Sequence, residues 1–453
     1  MVIIKLIALI IFIFFSNQSY SAQNFQIIRD AEIELFLHKI IKSTIGESKS
    51  KNFHPRLVLN SEYNAFVTGS NKIYINTGLI NKSNSLSEIQ AVLAHEIGHL
   101  ALNHYNSRLV NSKKLSNYSK LATFAGIALS AQGKLDANSA VGLMIGSNDL
   151  ATKSLLQFSR IQEQQADKFA LDQLIKNKIS LIGLEKLLTK LANEELNNSN
   201  TPKNYYRSHP FSKQRLEQVK KYKLQYQKVS LGEQKISLNN NIISLQYIKN
   251  KIKAYSVDPN DLMKNLENKN EFLSNYTQMI ALYRVGKYDL AQKKLSLIKN
   301  KYEKYPFFSE LKGDIYYKEG KFNIAINEYE KAIQTLQEVF SPSTDLIKFS
   351  LIKTYLQTNN SANLNKSIIL LEELLLNNPN WSYLWRLLSK ASGKLNKKGM
   401  AYIALAEEAL IKKNFIKAKK YVDLANKQTS LPISYKLRGS DILNKIKLKY
   451  QKK

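Results

Sequence analysis

Hydrophobic and polar residues alternate in the segment RLVLNSEYNAFVTGSNKIYINTGLI, residues 56–80. A period of two is typical of strands with one buried face, and Gly69 and Ser70 interrupt it where a turn is expected. Ser85 and Glu88 then match a capping box ahead of a hydrophobic pattern with helical spacing. The pattern predicts short strands with a hairpin near Gly69, followed by a long helix that carries AVLAHEIGHLALNHY, residues 91–105.

Residues 271–453 form a region rich in Tyr and Leu in which a pattern repeats. The segment YRVGKYDLAQKKL aligns with YKEGKFNIAINEY, 34 residues further on, so that Gly286 matches Gly320 and Ala291 matches Ala325. A glycine at the helix turn, a small residue where helices cross and a 34-residue period are typical of tetratricopeptide repeats. Such repeats stack into concave surfaces that hold peptides or partner proteins. This half is therefore interpreted as a binding module.

The amino-terminal pattern is that of an export signal. Lys5 precedes an apolar run, residues 6–15, and a polar stretch follows that has Ser19 and Ser21 at the two positions where cleavage requires small side chains. Ten apolar residues are too few to span a bilayer, although an uncleaved anchor is the alternative. Residues 1–21 are thus predicted to be a signal peptide that directs the protein to the bacterial periplasm.

Two further apolar patches, residues 121–131 and 140–146, are each too short to cross a membrane. We expect a helical hairpin packed on the core, with a mobile flap or a contact with the membrane surface as the alternatives. The chain has no cysteine, so we expect neither disulfides nor a lipid attached through cysteine.

The formal net charge of +31 raises the hypothesis of binding to nucleic acid or to an anionic membrane. The lysines are scattered among Asn and Ile rather than grouped on one stripe, which is typical of a compositional bias. We therefore expect no nucleic-acid partner, and peripheral membrane contact stays open.

The stretch HEIGH places His95 and His99 four residues apart. On a helix this spacing projects both imidazoles from one face, at a separation suited to a shared zinc ion. Glu96 lies between them, where it can take a proton from water activated by zinc as that water attacks a peptide carbonyl, and then pass it to the leaving amine. The sequence therefore predicts a zinc peptidase site.

A catalytic zinc needs a third ligand from the protein. The metzincin arrangement requires Gly at position 102 and His at position 105, but the sequence has Leu102 and Tyr105, which excludes that class. The other arrangement takes a glutamate from a later helix, and the segment RIQEQQAD offers Glu163 as a ligand, with Asp167 one turn further on to accept a hydrogen bond from a ligand imidazole.

A third histidine, His104, falls on the apolar stripe of the same helical pattern, roughly 180° from His95 at about 100° per residue. We expect a buried, hydrogen-bonded structural histidine there and not a ligand.

HEIGH, RIQEQQAD and the segment SHPFSKQRL at 208–216 together make residues 55–220 resemble the HtpX and CAAX prenyl protease family of zinc metallopeptidases. The resemblance implies one zinc ion per chain, with His95, His99 and Glu163 as ligands, Glu96 as the catalytic base and Asp167 behind the ligands. His209, in the His-Pro motif of the family, is expected to stabilise the oxyanion or to gate the zinc, with a structural loop histidine as the alternative.

In the same motif, Arg215 is expected to orient helices by ion pairing. The strand near residues 64–67 is expected to bind an extended substrate by edge addition.

More narrowly, the signal peptide and repeats resemble periplasmic members of this family. We expect a mainly α protein: a gluzincin domain with a small β-sheet at 22–225, a helical connector at 226–270 and a tetratricopeptide-repeat solenoid at 271–453. The resemblance implies an endopeptidase that acts in quality control of misfolded or unassembled outer-membrane proteins, with the barrel assembly machinery as a partner of the repeats. The alternative is a repeat-based chaperone or adaptor whose proteolysis is latent or rare.

Overall fold

The protein is described by a computed structural model that covers residues 26–68, 71–104, 160–196, 209, 213–226, 236–238, 241–242, 244–264, 271–299, 305–337 and 344–450. The predicted signal peptide at 1–21 and the apolar patches at 121–131 and 140–146 lie outside these ranges. Of the described residues, 26–29 and those between 40 and 234 form one compact unit. Residues 30–39 and those from 235 onward form the other.

The first unit contains a four-stranded sheet with the order β1-β2-β4-β3. Its strands are β1 (Ile27–Ile28), β2 (His54–Val58), β3 (Ala65–Thr68) and β4 (Lys72–Asn76). Strands β3 and β4 are antiparallel and pair Ala65 with Ile75, which confirms the predicted hairpin, while β2 and β4 run parallel. Among the described residues, β3 pairs with β4 alone, so it lies at the edge of the sheet.

Helix α1 (Ala31–Ile45) begins in the other unit, to which its first nine residues belong, and ends in the first unit. The remaining helices of the first unit are α2 (Glu47–Ser50), α3 (Thr77–Lys82), α4 (Leu86–Ala101), α5 (Arg160–Lys176), α6 (Ile182–Leu196) and α7 (Lys213–Gln225). Helix α4 is the centre of this unit, since it packs against α5, α6 and β3. Its residues from Ser87 to His99 are buried. The polar groups of its HEIGH stretch are therefore held inside the protein.

Helix α4 begins one residue after Ser85, as predicted, but the capping box is wrong. The Ser85 side chain makes no cap hydrogen bond, and its hydroxyl lies 2.9 Å from that of Ser87. Glu88 is instead held by two lysines of α6, with its carboxylate 3.0 Å from Lys186 Nζ and 3.2 Å from Lys190 Nζ. Glu88 also accepts a hydrogen bond from the backbone N–H of Asn84 at 3.4 Å, so the ion pairs with α6 add to one local contact while the Ser85 cap is absent.

Among its described residues, the second unit is helical apart from a short pair of strands, β5 (Ser237–Leu238) and β6 (Asn241–Ile242). Its helices are α8 (Leu245–Ser256), α9 (Pro259–Lys264), α10 (Glu271–Arg284), α11 (Tyr288–Lys299), α12 (Pro306–Lys318), α13 (Phe322–Gln337), α14 (Thr344–Tyr355), α15 (Ser361–Asn377), α16 (Ser382–Lys394), α17 (Lys398–Ile411), α18 (Phe415–Asn426) and α19 (Ile433–Tyr450). From α9 onward, consecutive helices pack on one another, as expected for a solenoid.

The aligned residues of the repeats have the roles predicted from their spacing. Gly286 and Gly320 have φ angles of 79° and 77° in the turns that end α10 and α12, a conformation that favours glycine. Ala291 and Ala325 are fully buried. The fold class is therefore the predicted one, mainly α with a small sheet. No described helix is long and apolar enough to cross a membrane.

Candidate metal centre

His95 and His99 lie on one face of α4, and both side chains are fully buried. Their Nε2 atoms are 3.1 Å apart. Two nitrogen lone pairs at this separation repel one another unless a proton or a metal cation lies between them. The predicted pairing of the two histidines is thus present in the structure.

Helix α5 brings Glu163 to the same point. Its Oε2 lies 3.3 Å from His95 Nε2 and its Oε1 lies 3.4 Å from His99 Nε2. The two helices approach closely because Gly98 has no Cβ: an added Cβ would lie 3.2 Å from the Cα and the carbonyl oxygen of Ala166. Small residues on both helices therefore allow α4 and α5 to pack closely.

His209 completes the group. Its Nδ1 lies 3.2 Å from His95 Nε2 and 3.1 Å from Glu163 Oε1. Its other ring nitrogen, Nε2, lies 3.3 Å from Glu96 Oε1. His209 therefore contacts both the carboxylate beside the histidine pair and the carboxylate expected to act as the base.

His95, His99, Glu163 and His209 form a buried group whose ligand atoms all lie within 4.8 Å of one another. Five separations among these residues, three of them to one or the other oxygen of Glu163, are 3.1–3.4 Å, close to the spacing of about 3.3 Å between ligand atoms bound to one zinc ion at about 2.0–2.1 Å. Imidazole nitrogen and carboxylate oxygen are also donors that zinc accepts. The donor atoms and their spacing fit a zinc ion bound within this group.

Behind the four residues lies a buried ion pair. Asp167 Oδ1 is 2.9 Å from His95 Nδ1, which leaves His95 Nε2 to face the other ligands. Arg215 of α7 binds Asp167 through two bonds, with Nε 2.5 Å from Oδ2 and Nη2 2.9 Å from Oδ1, and its Nη1 lies 2.9 Å from Glu163 Oε2. Arg215 thus joins α7 to α5 by ion pairing, as predicted, and it also contacts the carboxylate of the metal group.

The charges of the site favour a cation. Burial lowers the pKa of His95, but the carboxylates of Glu163 and Asp167 outweigh it and raise that pKa to about 10. Burial also lowers the pKa of His99, to about 3, and the contact with the Glu163 carboxylate does not offset this effect. The field of the two carboxylates therefore concentrates positive charge at His95, where a metal cation can replace the proton.

The formal charges of the site also favour the binding of a cation. With neutral imidazoles, Glu96, Glu163 and Asp167 carry three negative charges against the single positive charge of Arg215. A divalent cation would neutralise the remainder.

The position of His104 was predicted wrongly. Helix α4 ends at Ala101, and Asn103 adopts a φ angle of 56°, so the apolar stripe of the helix does not continue to His104. The chain turns back instead, and His104 Nδ1 lies 3.0 Å from His99 Nδ1. His104 is buried and hydrogen-bonded, as expected, but it contacts a histidine of the metal group. A helical wheel could not reveal this contact, because it assumes that the helix continues.

Comparisons with known proteins agree with this arrangement. Residues 28–223 match the model of peptidase family M48, and residues 278–353 match that of a tetratricopeptide repeat-like domain. The chain is 24% identical over 370 residues to the beta-barrel assembly-enhancing protease of Yersinia pestis, covering 78% of this chain and 71% of that protein.

Two relatives from Escherichia coli (strain K12) are also similar. The beta-barrel assembly-enhancing protease is 21% identical over 356 residues, which covers 78% of this chain and 70% of the relative. Metalloprotease YcaL is 29% identical over 188 residues, which covers 41% of this chain and 67% of that protein.

Proposed function

Because this chain contains a peptidase family M48 domain followed by a tetratricopeptide repeat-like domain, we propose that it is a zinc-dependent endopeptidase. The observation that supports this most strongly is the buried cluster of His95, His99, Glu163 and His209, with Glu96 beside it. We assign His95, His99 and Glu163 as the ligands of one zinc ion per chain, and Asp167 as the residue that orients His95.

Zinc bound by these residues would supply a Lewis acid that polarises the peptide carbonyl and lowers the pKa of water. Glu96 follows His95 directly in α4, so its carboxylate lies at the rim of the ligand group and not within it. From there it takes a proton from the attacking water and later delivers it to the leaving amine. The bond that breaks is the peptide C–N bond, and the products are a carboxylate and an amine.

His209 is assigned as a gate. Its Nδ1 lies beside His95 Nε2 and Glu163 Oε1, and its Nε2 contacts Glu96, which supports a position on the open side of the proposed zinc ion. With His209 in this place the base and the open position are both occupied by the chain itself. Displacement of His209 would free both groups.

Strand β3 is assigned as the substrate-binding edge. It packs on α4, the helix that carries the metal group, and it pairs on one side only among the described strands. A client segment in extended conformation adds to this edge through main-chain hydrogen bonds, which give affinity with little dependence on sequence. Such tolerance suits a protease that removes misfolded chains.

The clients and the compartment are proposed from three observations that point the same way. The relatives from Yersinia pestis and Escherichia coli are named for beta-barrel assembly, residues 1–21 have the pattern of a signal peptide, and the repeats offer a surface for binding proteins. We therefore assign the protein to the periplasm, with misfolded or unassembled outer-membrane proteins as substrates and their assembly machinery as the partner of the repeats. The boundaries 22–225, 226–270 and 271–453 stay part of this proposal.

The test is zinc content and casein cleavage of the purified mature chain, with Glu96→Gln and His209→Ala beside it. We expect one zinc per chain in all three proteins, cleavage reduced at least about 100-fold in Glu96→Gln and raised in His209→Ala. A wild-type chain without zinc and without cleavage would overturn the proposal. Full cleavage by Glu96→Gln would remove Glu96 as the base.

A second function is favoured by the place of His209, which closes the site in the structure. In this alternative the protein acts mainly as a chaperone or adaptor through its repeats, and proteolysis is latent. Glu96→Gln would then restore assembly of a client barrel in cells that lack the protein. Failure of that variant to restore assembly, while wild type succeeds, would reject this alternative.

A further inference from the structure

The two histidines of α4 are supported at their outer nitrogens by different groups. His95 Nδ1 faces the carboxylate of Asp167 at 2.9 Å, whereas His99 Nδ1 faces the imidazole of His104 at 3.0 Å. His104 Nε2 in turn lies 3.0 Å from Gln165 Oε1 on α5. A short chain of contacts therefore runs from the metal group through His99 and His104 to Gln165.

Only one proton arrangement satisfies this chain when His99 Nε2 faces the metal. His99 must carry its proton on Nδ1 and donate it to His104 Nδ1. His104 then accepts at Nδ1, so its own proton is on Nε2 and is donated to the carbonyl oxygen of Gln165. Each donor has one acceptor, and the ring of His99 is held in the tautomer that presents a lone pair on Nε2.

The position of His104 suits this role and not that of a ligand. Its side chain is buried, and Nδ1 points to the outer side of His99, away from the four ligand atoms. The φ angle of 56° at Asn103 brings it there directly after the helix. Gln165 lies at the exposed end of the chain of contacts and anchors it to the helix that also carries Glu163.

We propose that His104 and Gln165 are positioning residues that fix the tautomer and orientation of His99 and thereby set the affinity for zinc. This inference rests on the proposed zinc site. It also predicts an asymmetry between the two ligands. His95 donates to a carboxylate and His99 to a neutral imidazole, so the hydrogen bond that orients His99 is the weaker one. A charged group at position 165 can strengthen it.

The experiment measures zinc affinity of the metal-free full-length mature chain by competition with a chromophoric chelator. His104→Leu keeps the bulk and removes the acceptor, and His104→Asn places an amide oxygen near the position of Nδ1. His104→Gln places its amide near Nε2 instead and serves as the matched control. We expect affinity about 10–100-fold lower in His104→Leu and His104→Gln, and within about threefold of wild type in His104→Asn.

Gln165 gives a second test at an exposed position, where folding is not at risk. In Gln165→Glu, the imidazole of His104 would donate to a carboxylate instead of an amide oxygen. We expect this variant to bind zinc several-fold more tightly. Gln165→Leu is expected to bind it several-fold less tightly. The absorption spectrum of the cobalt-substituted chain should shift in both variants, because the donor strength of His99 changes.

The outcomes separate this inference from the proposed function. Unchanged affinity in His104→Leu would mean that His104 only fills space, and equal losses in His104→Asn and His104→Leu would mean that an acceptor at the position of Nδ1 does not support His99. Unchanged affinity in both Gln165 variants would remove Gln165. Each of these results overturns the inference while wild-type zinc binding stands. A wild-type chain that binds no zinc would overturn the proposed site first, and the inference with it.

Discussion

Arg215 holds both carboxylate oxygens of Asp167, at 2.5 Å and 2.9 Å, and the two side chains are fully buried. The same guanidinium reaches Glu163 Oε2 at 2.9 Å, so one cation compensates two carboxylates inside the protein. Asp167 in turn contacts His95, which links the ion pair to the proposed zinc ligands. The stability of this unit and its affinity for metal are therefore expected to depend on each other.

Arg215→Met is predicted to destabilise the metal-free first unit by about 3–5 kcal/mol, because it leaves two buried carboxylates without a cation. Zinc should recover part of this loss, since it compensates Glu163. Urea unfolding with a chelator and with excess zinc measures both effects. Arg215→Lys, which keeps the charge but loses the two-bond geometry, should lie between wild type and Arg215→Met. Equal losses with and without zinc would show that the ion pair and the metal site are independent.

Gly98→Ala is predicted to move α5 away from α4, because the new methyl group would lie 3.2 Å from backbone atoms of Ala166. Since α5 carries Glu163 and Asp167, the affinity for zinc should fall about 10-fold or more. The free energy of unfolding should also fall, because overpacking costs about 1–3 kcal/mol and outweighs the gain in helix propensity.

Gly393→Ala is the control. Nothing lies within 4 Å of its added Cβ, so the free energy of unfolding of the second unit should rise by up to about 1 kcal/mol. Zinc titration and thermal unfolding test both variants.

Lys251→Met is predicted to destabilise the second unit by about 3–5 kcal/mol. Lys251 Nζ lies 2.7 Å from Glu32, which is fully buried, and 2.9 Å from Asp30. Loss of the ammonium group leaves the Glu32 carboxylate without its cation, and the Tyr305 hydroxyl, which donates to it, is neutral. Hydrogen exchange of the amides in α8, followed by mass spectrometry, reports on this unit alone.

Lys366→Met is the matched control for that variant. Lys366 forms a pair with Glu330 at 3.4 Å, and both side chains are largely exposed, so its loss should cost less than about 1 kcal/mol. Similar costs in Lys251→Met and Lys366→Met would show that burial does not set the strength of these pairs.

The sequence was sufficient for the features that depend on local spacing. The hairpin of β3 and β4 follows from alternation, the pairing of His95 and His99 from the period of a helix, and the turn at Gly286 from the 34-residue repeat. Glu163 was predicted because a catalytic zinc needs a third ligand and RIQEQQAD follows in a suitable helix. Each of these predictions uses geometry within one element or one known chemical requirement.

Contacts between distant parts of the chain were not predictable in the same way. The interaction of Glu88 with Lys186 and Lys190 replaces a capping box that the local sequence suggested, because it depends on how α6 packs on α4. The contact of His104 with His99 depends on where α4 ends, which hydrophobic spacing does not determine. The hydrophobic spacing predicts that the helix continues through the four positions between His99 and His104. In the structure the helix ends at Ala101, and Asn103 adopts a positive φ angle.

Glu88 is predicted to make the first unit sensitive to acid. Burial alone would raise the pKa of Glu88, but hydrogen bonds from Lys186 and Lys190 outweigh it and lower that pKa below its usual value of 4.5. A carboxylate whose pKa is lowered in the folded state stabilises the protein fully when the pH is above its unfolded-state pKa, near 4.5. That contribution is lost as the pH falls through the lower pKa of the folded state.

Urea midpoints of the metal-free chain, measured from about pH 6 to pH 3, should therefore fall more steeply in wild type than in Glu88→Gln. The variant should already be the less stable protein at pH 6. Glu217→Gln is the control, because its pair with Lys213 is 3.7 Å long and exposed, and it should reproduce the wild-type profile. Parallel pH profiles of wild type and Glu88→Gln would show that the two lysines of α6 do not stabilise the charged form of Glu88.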